Sequence, residues 1–381
     1  MNIRPNLTLD ADEAIATIRA VDIIKKYKKI INILILLIII FCCLSCVRNQ
    51  PNSPLELFNN YQIVTLHQVE IPEMLIGSPT KIFYLDTLLF YSETRIPFFK
   101  IIDLKRFQLK QFGSKGQGPN EFIMPFVQSL NDGNILVLDI QLAKLFEIDL
   151  HKTYLSDSLC VNKVAQLDRK DGVGIFCVIK MNDRYVATGV FEKGMFAIFD
   201  SNGNLIKTRY KYPKHPEHDN IENRIKGMAY QGSLIANQKQ NKFVFATYDA
   251  AIIEFFDLKS DSLVKTAAYY NTYPKYVPKR QGDGISAAIR SDNEKGYRCL
   301  YGTEKYVYAL YSGRTWNEYL EAENECLDLL VFDWDGHPVK HYILNQAIFT
   351  FYISSDDRFG YGIGLAPEPT LFKFDLIDGN E

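Results

Sequence analysis

This sequence of 381 residues has little net charge and very little tryptophan. Lys and Arg number 43 against 45 Asp and Glu, which leaves a formal net charge of −2. Proteins that bind nucleic acid use a clearly basic surface to attract phosphate groups, so this balance predicts no nucleic-acid partner. Only 2 Trp occur, whereas the 23 Tyr and 25 Phe suit the pleated, half-buried surface of a β-sheet.

Sequence patterns of known chemistry are also missing. A Gly-x-Ser-x-Gly elbow, which would indicate a hydrolase of that type, does not occur. Long apolar patterns at the helical spacing of 3.6 residues are absent after residue 60, which disfavours a helical fold. We therefore predict no catalytic residue and no cofactor, and the sequence favours a protein that is not an enzyme.

The N-terminal region carries the pattern of an export signal. Basic residues at Lys25–Lys29 precede an almost wholly apolar run, Ile30–Leu44, and Ser45 and Cys46 follow. This order fits a secretory signal, and the apolar run of about 15 residues is short for a helix that spans a membrane. A Cys placed directly after Leu-Ser resembles the lipobox of bacterial lipoproteins, in which that Cys carries the lipid. We predict lipidation at Cys46; Cys43 is a second candidate for the cut, and an uncleaved membrane anchor is the alternative.

This interpretation divides the chain into three parts. Residues 1–46 are an N-terminal extension followed by the lipoprotein signal peptide. Residues 47–60 begin with a polar stretch containing Asn and Pro, and they are predicted to be a flexible tether. Residues 61–377 are predicted to be the folded domain.

A short apolar strand that ends at an Asp recurs six times along this domain. The marker residues are Asp103, Asp149, Asp200, Asp257, Asp333 and Asp375, with spacings of 46, 51, 57, 76 and 42 residues. Most of these intervals suit one four-stranded propeller blade of about 40–50 residues. The turns between strands contain Asn, Asp and Gly, as tight hairpins require. The sequence therefore predicts an all-β fold, a six-bladed β-propeller of four-stranded antiparallel blades. In the second repeat, the strand after Asp149 is predicted over Tyr154–Ser158.

The last repeat is too short to supply its own fourth strand, because only six residues follow Asp375. Residues 62–71 alternate like a strand and belong to no repeat of their own. We predict that strand 62–71 joins the last blade, which closes the ring and removes two unpaired edges.

A glycine-rich segment after the first repeat is the clearest local motif. A phosphate-binding loop would need a helix after it, whereas here a proline and a strand follow. We interpret the segment as a tight connection between blades, in which Glu121 bonds backbone donors. Its motif residues are Gly116, Gly118, Pro119, Glu121 and Phe122.

Together with Phe112 and Gly113, the motif Gly-x-Gly-Pro-x-Glu-Phe resembles the TolB-like six-bladed propeller lipoproteins of Bacteroidota. The lipobox-like Cys46 and the six repeats agree with it, and the resemblance covers about residues 46–377. It implies an exported, lipid-anchored propeller with no established reaction, so it implies no catalytic residues.

Two long insertions, 271–290 and 313–325, interrupt the fifth repeat. Loops of this length are often functional. The first is rich in Tyr and Pro and is either packed on the propeller or an aromatic contact surface for a carbohydrate, peptide or protein. The candidate binding residues in or near these insertions are Tyr270, Tyr273, Tyr276, Arg280, Arg290 and Arg314.

The histidines and cysteines give no metal prediction. His215, Glu217 and His218 are metal-capable types at close spacing, but Pro213 and Pro216 exclude the helix that would align the histidines. We therefore interpret this segment as a solvated loop. The four cysteines beyond the signal allow three disulfide pairings, and free thiols are equally compatible with the sequence.

The sequence predicts a binding or scaffolding module at the cell envelope, a membrane-anchored lipoprotein of the periplasm or the outer-membrane surface. Its expected partners are the membrane, through the N-terminal lipid, and another envelope protein, a peptide or a carbohydrate. The alternative is an envelope hydrolase or lyase that acts on carbohydrate or peptide with acidic residues lining the channel. Clustered carboxylates in the channel would favour the alternative.

Overall fold

Six small β-sheets follow one another along the chain in the computed structural model. The structure describes residue 28 and residues 51–71, 76–169, 174–259, 262–281, 284–321, 326–365 and 367–376. Apart from residue 28, the predicted extension and signal peptide, with Cys46, lie outside the described residues. Nowhere in the part of the chain that the structure describes is there a helix with the length and apolar character to cross a membrane.

Each blade is built from consecutive strands that pair antiparallel in chain order, and two N-terminal strands add to the last two blades. The strands of blades one to three are β3 Pro79–Leu85, β4 Leu88–Glu93, β5 Phe99–Asp103 and β6 Gln108–Phe112; β9 Pro125–Asn131, β10 Asn134–Asp139, β11 Lys144–Asp149 and β12 Val161–Gln166; β13 Gly174–Met181, β14 Arg184–Val190, β15 Phe196–Asp200 and β16 Leu205–Arg209. Those of blades four to six are β17 Gly232–Asn237, β18 Lys242–Thr247, β19 Ile252–Lys259 and β20 Ser262–Tyr270; β23 Tyr297–Gly302, β24 Tyr306–Tyr311, β25 Cys326–Asp333 and β26 Pro338–Ile348; β27 Thr350–Ile353, β28 Phe359–Gly364 and β29 Thr370–Asp375.

The remaining described elements are short and lie at the N-terminal end or between strands of the blades. They are a 3₁₀ helix Pro54–Leu57, strands β1 Tyr61–Val64 and β2 Leu66–Gln68, the parallel pair β7 Ser114–Lys115 and β8 Glu121–Phe122, the hairpin β21 Tyr276–Gln281 and β22 Gly284–Ile289, and helices α1 Leu150–Ser156, α2 Asn223–Ala229 and α3 Trp316–Glu321.

The first strand of every blade lies innermost. These six strands contact one another in a closed circle, β3 to β9, β13, β17, β23, β27 and back to β3. They surround a central channel, as in other propellers. One end of the channel, the connection face, carries the links between blades and the turns between second and third strands. The other end, the turn face, carries the remaining hairpin turns and the six marker Asp residues. The prediction of a six-bladed all-β propeller is confirmed.

The ring is closed by the N-terminal strands, as predicted, but the strand predicted over 62–71 is divided. Strand β2 pairs antiparallel with β29 and supplies the fourth strand of blade six, with Leu66 opposite Phe374. Strand β1 instead pairs parallel with β26, as a fifth strand of blade five. The switch is fixed by Asn345, whose side-chain oxygen accepts a hydrogen bond of 2.8 Å from the Leu66 amide. The N-terminal segment therefore joins the last two blades.

Part of the predicted tether, residues 47–60, packs against the propeller. The 3₁₀ helix Pro54–Leu57 is capped by the Ser53 side chain, which accepts a hydrogen bond from Leu55. Leu55, Leu57 and Phe58 contact the core of blades four and five, and the Phe58 ring meets Phe332 edge-on at 5.4 Å. The Pro51 carbonyl accepts a hydrogen bond of 2.6 Å from the Asn271 side chain, so residues from Pro51 onward belong to the folded unit.

Four of the six marker Asp residues bond nearby backbone donors, three of them in a turn and Asp149 at the start of a helix. Asp103, Asp149, Asp200 and Asp333 each accept at least one hydrogen bond from an amide two to four residues further on. Asp257 instead forms ion pairs with Lys242 and Lys259, and the Asp375 side chain is exposed. The recurring Asp thus mainly bonds the backbone that follows its strand, which explains its period.

The strand predicted over Tyr154–Ser158 is wrong. Asp149 caps the N-terminus of helix α1, because its carboxylate accepts a hydrogen bond of 2.9 Å from the Lys152 amide. The chain makes two helical turns before it returns as β12. An Asp at a strand end suits a helix N-cap as well as a tight turn, and the sequence pattern does not distinguish these uses.

The closure of the ring gives the first testable prediction. Leu66 is buried between β2 and the core of blade six, whereas its neighbour His67 points to solvent. We expect Leu66→Ala to lower the free energy of unfolding by about 2–5 kcal/mol, because it leaves a cavity at the seam. His67→Ala, on the same strand, should change it by less than about 0.5 kcal/mol. Denaturant unfolding measures both, and equal effects would contradict the role of this seam.

Candidate functional site

The connection face carries two adjoining cavities at the mouth of the central channel. The channel cavity, of about 280 Å³, is lined mainly by the innermost strands of blades one to five. The side cavity, also of about 280 Å³, lies between the loops of blades four, five and six. Tyr248 and Arg298 line both cavities, so the two spaces share a wall. We regard them together as the candidate site.

The polar lining of the channel cavity comes from the same strand of successive blades. Lys81 lies on β3, Gln128 on β9, Cys177 on β13, Ser233 on β17 and Arg298 on β23. Each blade turns its inner edge to the channel, so neighbouring residues of one strand, and not only alternate ones, line the cavity. The polar side chains are interleaved with Phe126 and Phe176.

Two cations in the channel cavity have no acidic partner. The Lys81 ammonium and the Arg298 guanidinium form no hydrogen bond or ion pair with any residue that the structure describes, and the Arg298 Nε atom is buried. The Arg298 guanidinium lies 3.7 Å from the centre of the Phe349 ring, a cation–π contact that leaves its hydrogen-bond donors unused. Both charges also act on Cys299, where burial raises the pKa of the thiol and the two cations oppose that rise.

The side cavity contains a third cation, but this one is paired. Lys295 is 8 % exposed, forms an ion pair with Asp249, and lies 4.1 Å from the centre of the Trp316 ring. Burial lowers the pKa of Lys295, and the charge of Asp249 partly opposes this effect. Burial likewise raises the pKa of the Tyr248 hydroxyl between the cavities. The candidate site is therefore cationic, aromatic and partly desolvated.

The predicted tyrosines of the first insertion serve mainly in packing. The insertion forms the hairpin β21–β22, and Tyr276 is buried against His218, with 4.5 Å between ring centres. The Tyr273 ring lies 4.9 Å from that of His215. The Tyr270 hydroxyl donates a 2.5 Å hydrogen bond to Glu254 and accepts one from Lys265.

The predicted arginines do not form one anion site. Arg280 pairs with Glu222 and Arg290 with Asp292, both on exposed surface. Arg314 lies nearest to the candidate site, because its carbonyl accepts a hydrogen bond of 2.8 Å from the Lys295 amide. Arg280 and Arg290 belong to the first insertion and Arg314 to the second, and none of the three lines the channel cavity or the side cavity.

The glycine-rich motif is a clamp between blades one and two. The Glu121 carboxylate accepts a hydrogen bond of 2.9 Å from the Gly118 amide. A Cβ atom on Gly116 would lie 1.9 Å from an oxygen of that carboxylate, so a larger residue here would push the Glu121 side chain aside. Phe122 is fully buried and meets Phe99 and Phe146 edge-on, with ring centres 5.3 and 5.2 Å apart. Pro119 lies in the turn between these contacts.

The histidine-rich segment is not simply a solvated loop. His215 to Asp219 form a turn in which the amide of His218 donates to the carbonyl of His215 over 2.8 Å. His218 is buried, and the two imidazole ring centres are 4.5 Å apart. Burial, followed by the nearby His215, lowers the pKa of His218 to about 4. The prolines do exclude a helix, but a turn brings residues three apart together equally well.

The four cysteines beyond the signal are free thiols in the structure. Cys160 and Cys177 are half-buried, and Cys299 and Cys326 are buried. Burial raises the pKa of Cys326 to about 12, so this thiol stays protonated at neutral pH.

The sequence analysis missed four of the residues that define the candidate site, namely Lys81, Asp249, Lys295 and Trp316. None belongs to a motif, and they are distributed between the first blade and the fifth. One signal was available, since four of the innermost strands carry a Lys, Gln, Ser or Arg near their first residues, among apolar side chains. It becomes informative only when those strands are known to surround one channel.

Fold and site together define a six-bladed β-propeller with a cationic channel mouth. A family model described as TolB-like 6-blade propeller-like matches residues 59–356, and the chain belongs to that family. No curated protein sequence matches the chain significantly.

Two solved structures show the same fold at low sequence identity. The first is a putative exported protein from Bacteroides fragilis, with 12 % identity and a TM-score of 0.51, over 83 % of this chain and 95 % of the other. The second is a member of the DUF4221 family from Bacteroides vulgatus, with 13 % identity and a TM-score of 0.51, over 83 % of this chain and 98 % of the other.

The side cavity gives a second testable prediction. We expect Asp249→Asn to lower the pKa of Lys295 further, because the desolvated ammonium loses its counter-ion. The pKa can be followed by NMR titration of ¹³C-dimethylated lysines, with the Lys295 signal assigned from Lys295→Arg. Asp335→Asn, which removes one of the two acidic partners of Lys242, is the control and should leave the pKa of Lys295 unchanged. An unaltered Lys295 titration in Asp249→Asn would refute this electrostatic account.

Proposed function

We propose that this protein is an exported, lipid-anchored propeller that binds a carboxylate-bearing ligand at the mouth of its central channel. The observation that carries the proposal is the presence of two cations, Lys81 and Arg298, that line the channel cavity and have no acidic partner among the residues that the structure describes. A partly buried charge that lacks a counter-ion is costly, and a bound anion removes that cost.

The guanidinium favours a planar anion over a point charge. Arginine presents its N–H donors in a rigid fork that matches two oxygens of one carboxylate. The Phe349 ring holds one face of the Arg298 guanidinium at 3.7 Å, which leaves the edge with its donors available to a ligand. Lys81 supplies a second positive charge to the same cavity.

The rest of the lining indicates that the anion is attached to an apolar or flat body. Phe126 and Phe176 line the channel cavity, and Trp316 and Phe349 line the side cavity. Aromatic rings bind flat or apolar groups, while a few placed polar groups fix the orientation. The end of a peptide chain and an acidic sugar both offer this combination, in line with the peptide and carbohydrate partners expected from sequence.

Binding is favoured over hydrolysis by the scarcity of acidic groups at the site. Among the described residues that line the two cavities, Asp249 is the only acidic side chain, and it is paired with Lys295. Glycoside hydrolysis in its common form requires two carboxyl groups on either side of the bond that is cut. The hydrolase or lyase alternative therefore receives no support from the lining of these cavities.

Export is supported by the signal pattern before Cys46 and by the likeness to a Bacteroides fragilis protein called a putative exported protein. Lipidation is supported by the position of Cys46 directly after Leu44 and Ser45. We propose that the lipid holds the propeller at the membrane, on the periplasmic side or at the outer-membrane surface. An envelope protein, a peptide or a carbohydrate would then reach the channel from outside the cytoplasm.

The ligand class can be tested with a matched pair of probes. Benzoate and benzamide have nearly the same shape, and only benzoate is charged. We expect benzoate to raise the melting temperature of the wild-type protein and benzamide to have no such effect. Arg298→Gln should weaken benzoate binding about tenfold or more, because one charge-assisted hydrogen bond contributes about 1.5–3 kcal/mol. Lys81→Gln should weaken it in the same direction.

The control is Arg290→Gln, which removes an exposed arginine that already pairs with Asp292. This variant should bind benzoate as the wild type does. Equal responses to benzoate and benzamide, or full benzoate binding by Arg298→Gln, would count against a carboxylate site in the channel.

Lipidation gives a separate prediction. Cells that express the protein are grown with an alkyne-tagged fatty acid, and labelling of the protein is detected after click chemistry. We expect wild type and Cys43→Ala to be labelled and Cys46→Ala to be unlabelled. Labelling that depends on Cys43 would move the cut to that residue, and an unlabelled wild type would favour an uncleaved anchor.

A further inference from the structure

The turn at residues 215–218 brings three metal-capable side chains together. One ring nitrogen of His215, one of His218 and one carboxylate oxygen of Glu217 all lie within 4.8 Å of one another. In this turn the His218 amide donates to the His215 carbonyl, so the side chains at either end are close in space. A bound ion would need only a small inward movement of these groups, since metal–nitrogen bonds are about 2.0–2.1 Å long.

The hydrogen bonds of the two histidines leave one nitrogen of each ring available to bind a metal ion. The Nδ1 atom of His215 is buried and has no hydrogen-bond partner among the described residues. The Nδ1 atom of His218 lies 3.0 Å from the Tyr230 hydroxyl, so its Nε2 atom remains for another partner. A hydrogen bond on the second ring nitrogen is the usual way in which proteins orient a metal-binding histidine.

Aromatic rings hold the cluster in place from the other side. The ring of Tyr276 packs on His218 at 4.5 Å, and the ring of Tyr273 packs on His215 at 4.9 Å. Both tyrosines belong to the first insertion, whereas the histidines belong to the link between blades three and four. The rotation of both imidazoles is therefore restricted before any ion binds, which lowers the cost of ordering them.

We propose that His215, Glu217 and His218 form a binding site for a zinc ion. Two imidazole nitrogens and one carboxylate are a donor set that zinc uses with one position left open. Calcium and magnesium prefer oxygen ligands, so the pair of histidines favours zinc over those ions. The fourth position is available to water or to a side chain of a partner, because Glu217 lies at the exposed edge of the cluster.

Zinc at this site would brace the first insertion. Its three ligands lie within four residues, so the ion fixes the turn itself and not the ring of blades. Tyr273 and Tyr276 rest on the two imidazoles, so the hairpin β21–β22 would be supported by the loaded turn. The zinc site is separate from the carboxylate site proposed above, since none of its residues lines the channel cavity or the side cavity.

The test measures zinc binding by the full-length protein after removal of metal with a chelator. Isothermal titration with Zn²⁺ should show one site per chain in the wild type. Glu217→Gln and His215→Gln should each weaken that site at least about tenfold, since each removes a direct ligand. Co²⁺ added in place of Zn²⁺ should give visible absorption bands in the wild type that both variants lose.

The matched control is His151→Gln, which removes an exposed histidine of helix α1 elsewhere on the propeller. This variant should bind Zn²⁺ as the wild type does. Glu217 is exposed, so Glu217→Gln should keep the wild-type melting temperature without metal, and its loss of binding then cannot be attributed to unfolding. The absence of a zinc site in the wild type, or equal affinity in wild type and Glu217→Gln, would overturn the proposal.

Discussion

Closure of the ring by the N-terminal segment is the constraint on which the rest of the structure depends. Strand β2 pairs with β29 and so gives blade six its fourth strand, while β1 lies along blade five. Without this segment both blades would present open edges, and the last blade would have only three strands. A closed ring holds all six innermost strands around one channel, and that arrangement makes a common site possible.

The channel mouth shows how such a ring assembles a site from distant parts of the chain. Lys81 comes from the first blade and Arg298 from the fifth, yet both line one cavity. Their charges are tolerated because neither side chain is fully enclosed and because the Phe349 ring covers one face of the guanidinium. Lys295 is more deeply buried, and its charge is stabilised by the counter-ion Asp249, as is usual for a buried lysine. Because Lys295 is paired whereas Lys81 and Arg298 are not, the channel cavity favours an anionic ligand.

The fold was largely predictable because an Asp that bonds the nearby backbone recurs about once per blade. Asp103, Asp149, Asp200 and Asp333 accept hydrogen bonds from nearby amides, so their spacing reports the blade length directly. The errors arose where one local pattern serves two structures. An Asp at a strand end capped helix α1 where a turn was expected, and the even alternation of 62–71 concealed a change of partner that depends on Asn345. The prolines beside His215 excluded a helix, but they did not exclude the turn that brings the histidines together.

The sequence by itself determined the number of blades, the strands within most of them and the need for an N-terminal strand to close the ring. These features follow from hydrophobic alternation and turn residues, which act over a few neighbours in the chain. Only the tertiary structure decided which side chains meet at the channel mouth, because Lys81 and Arg298 are brought together by the rotation of the blades about a common axis. No short-range pattern encodes that rotation, so the arrangement of charges around the channel becomes visible only once the ring is closed.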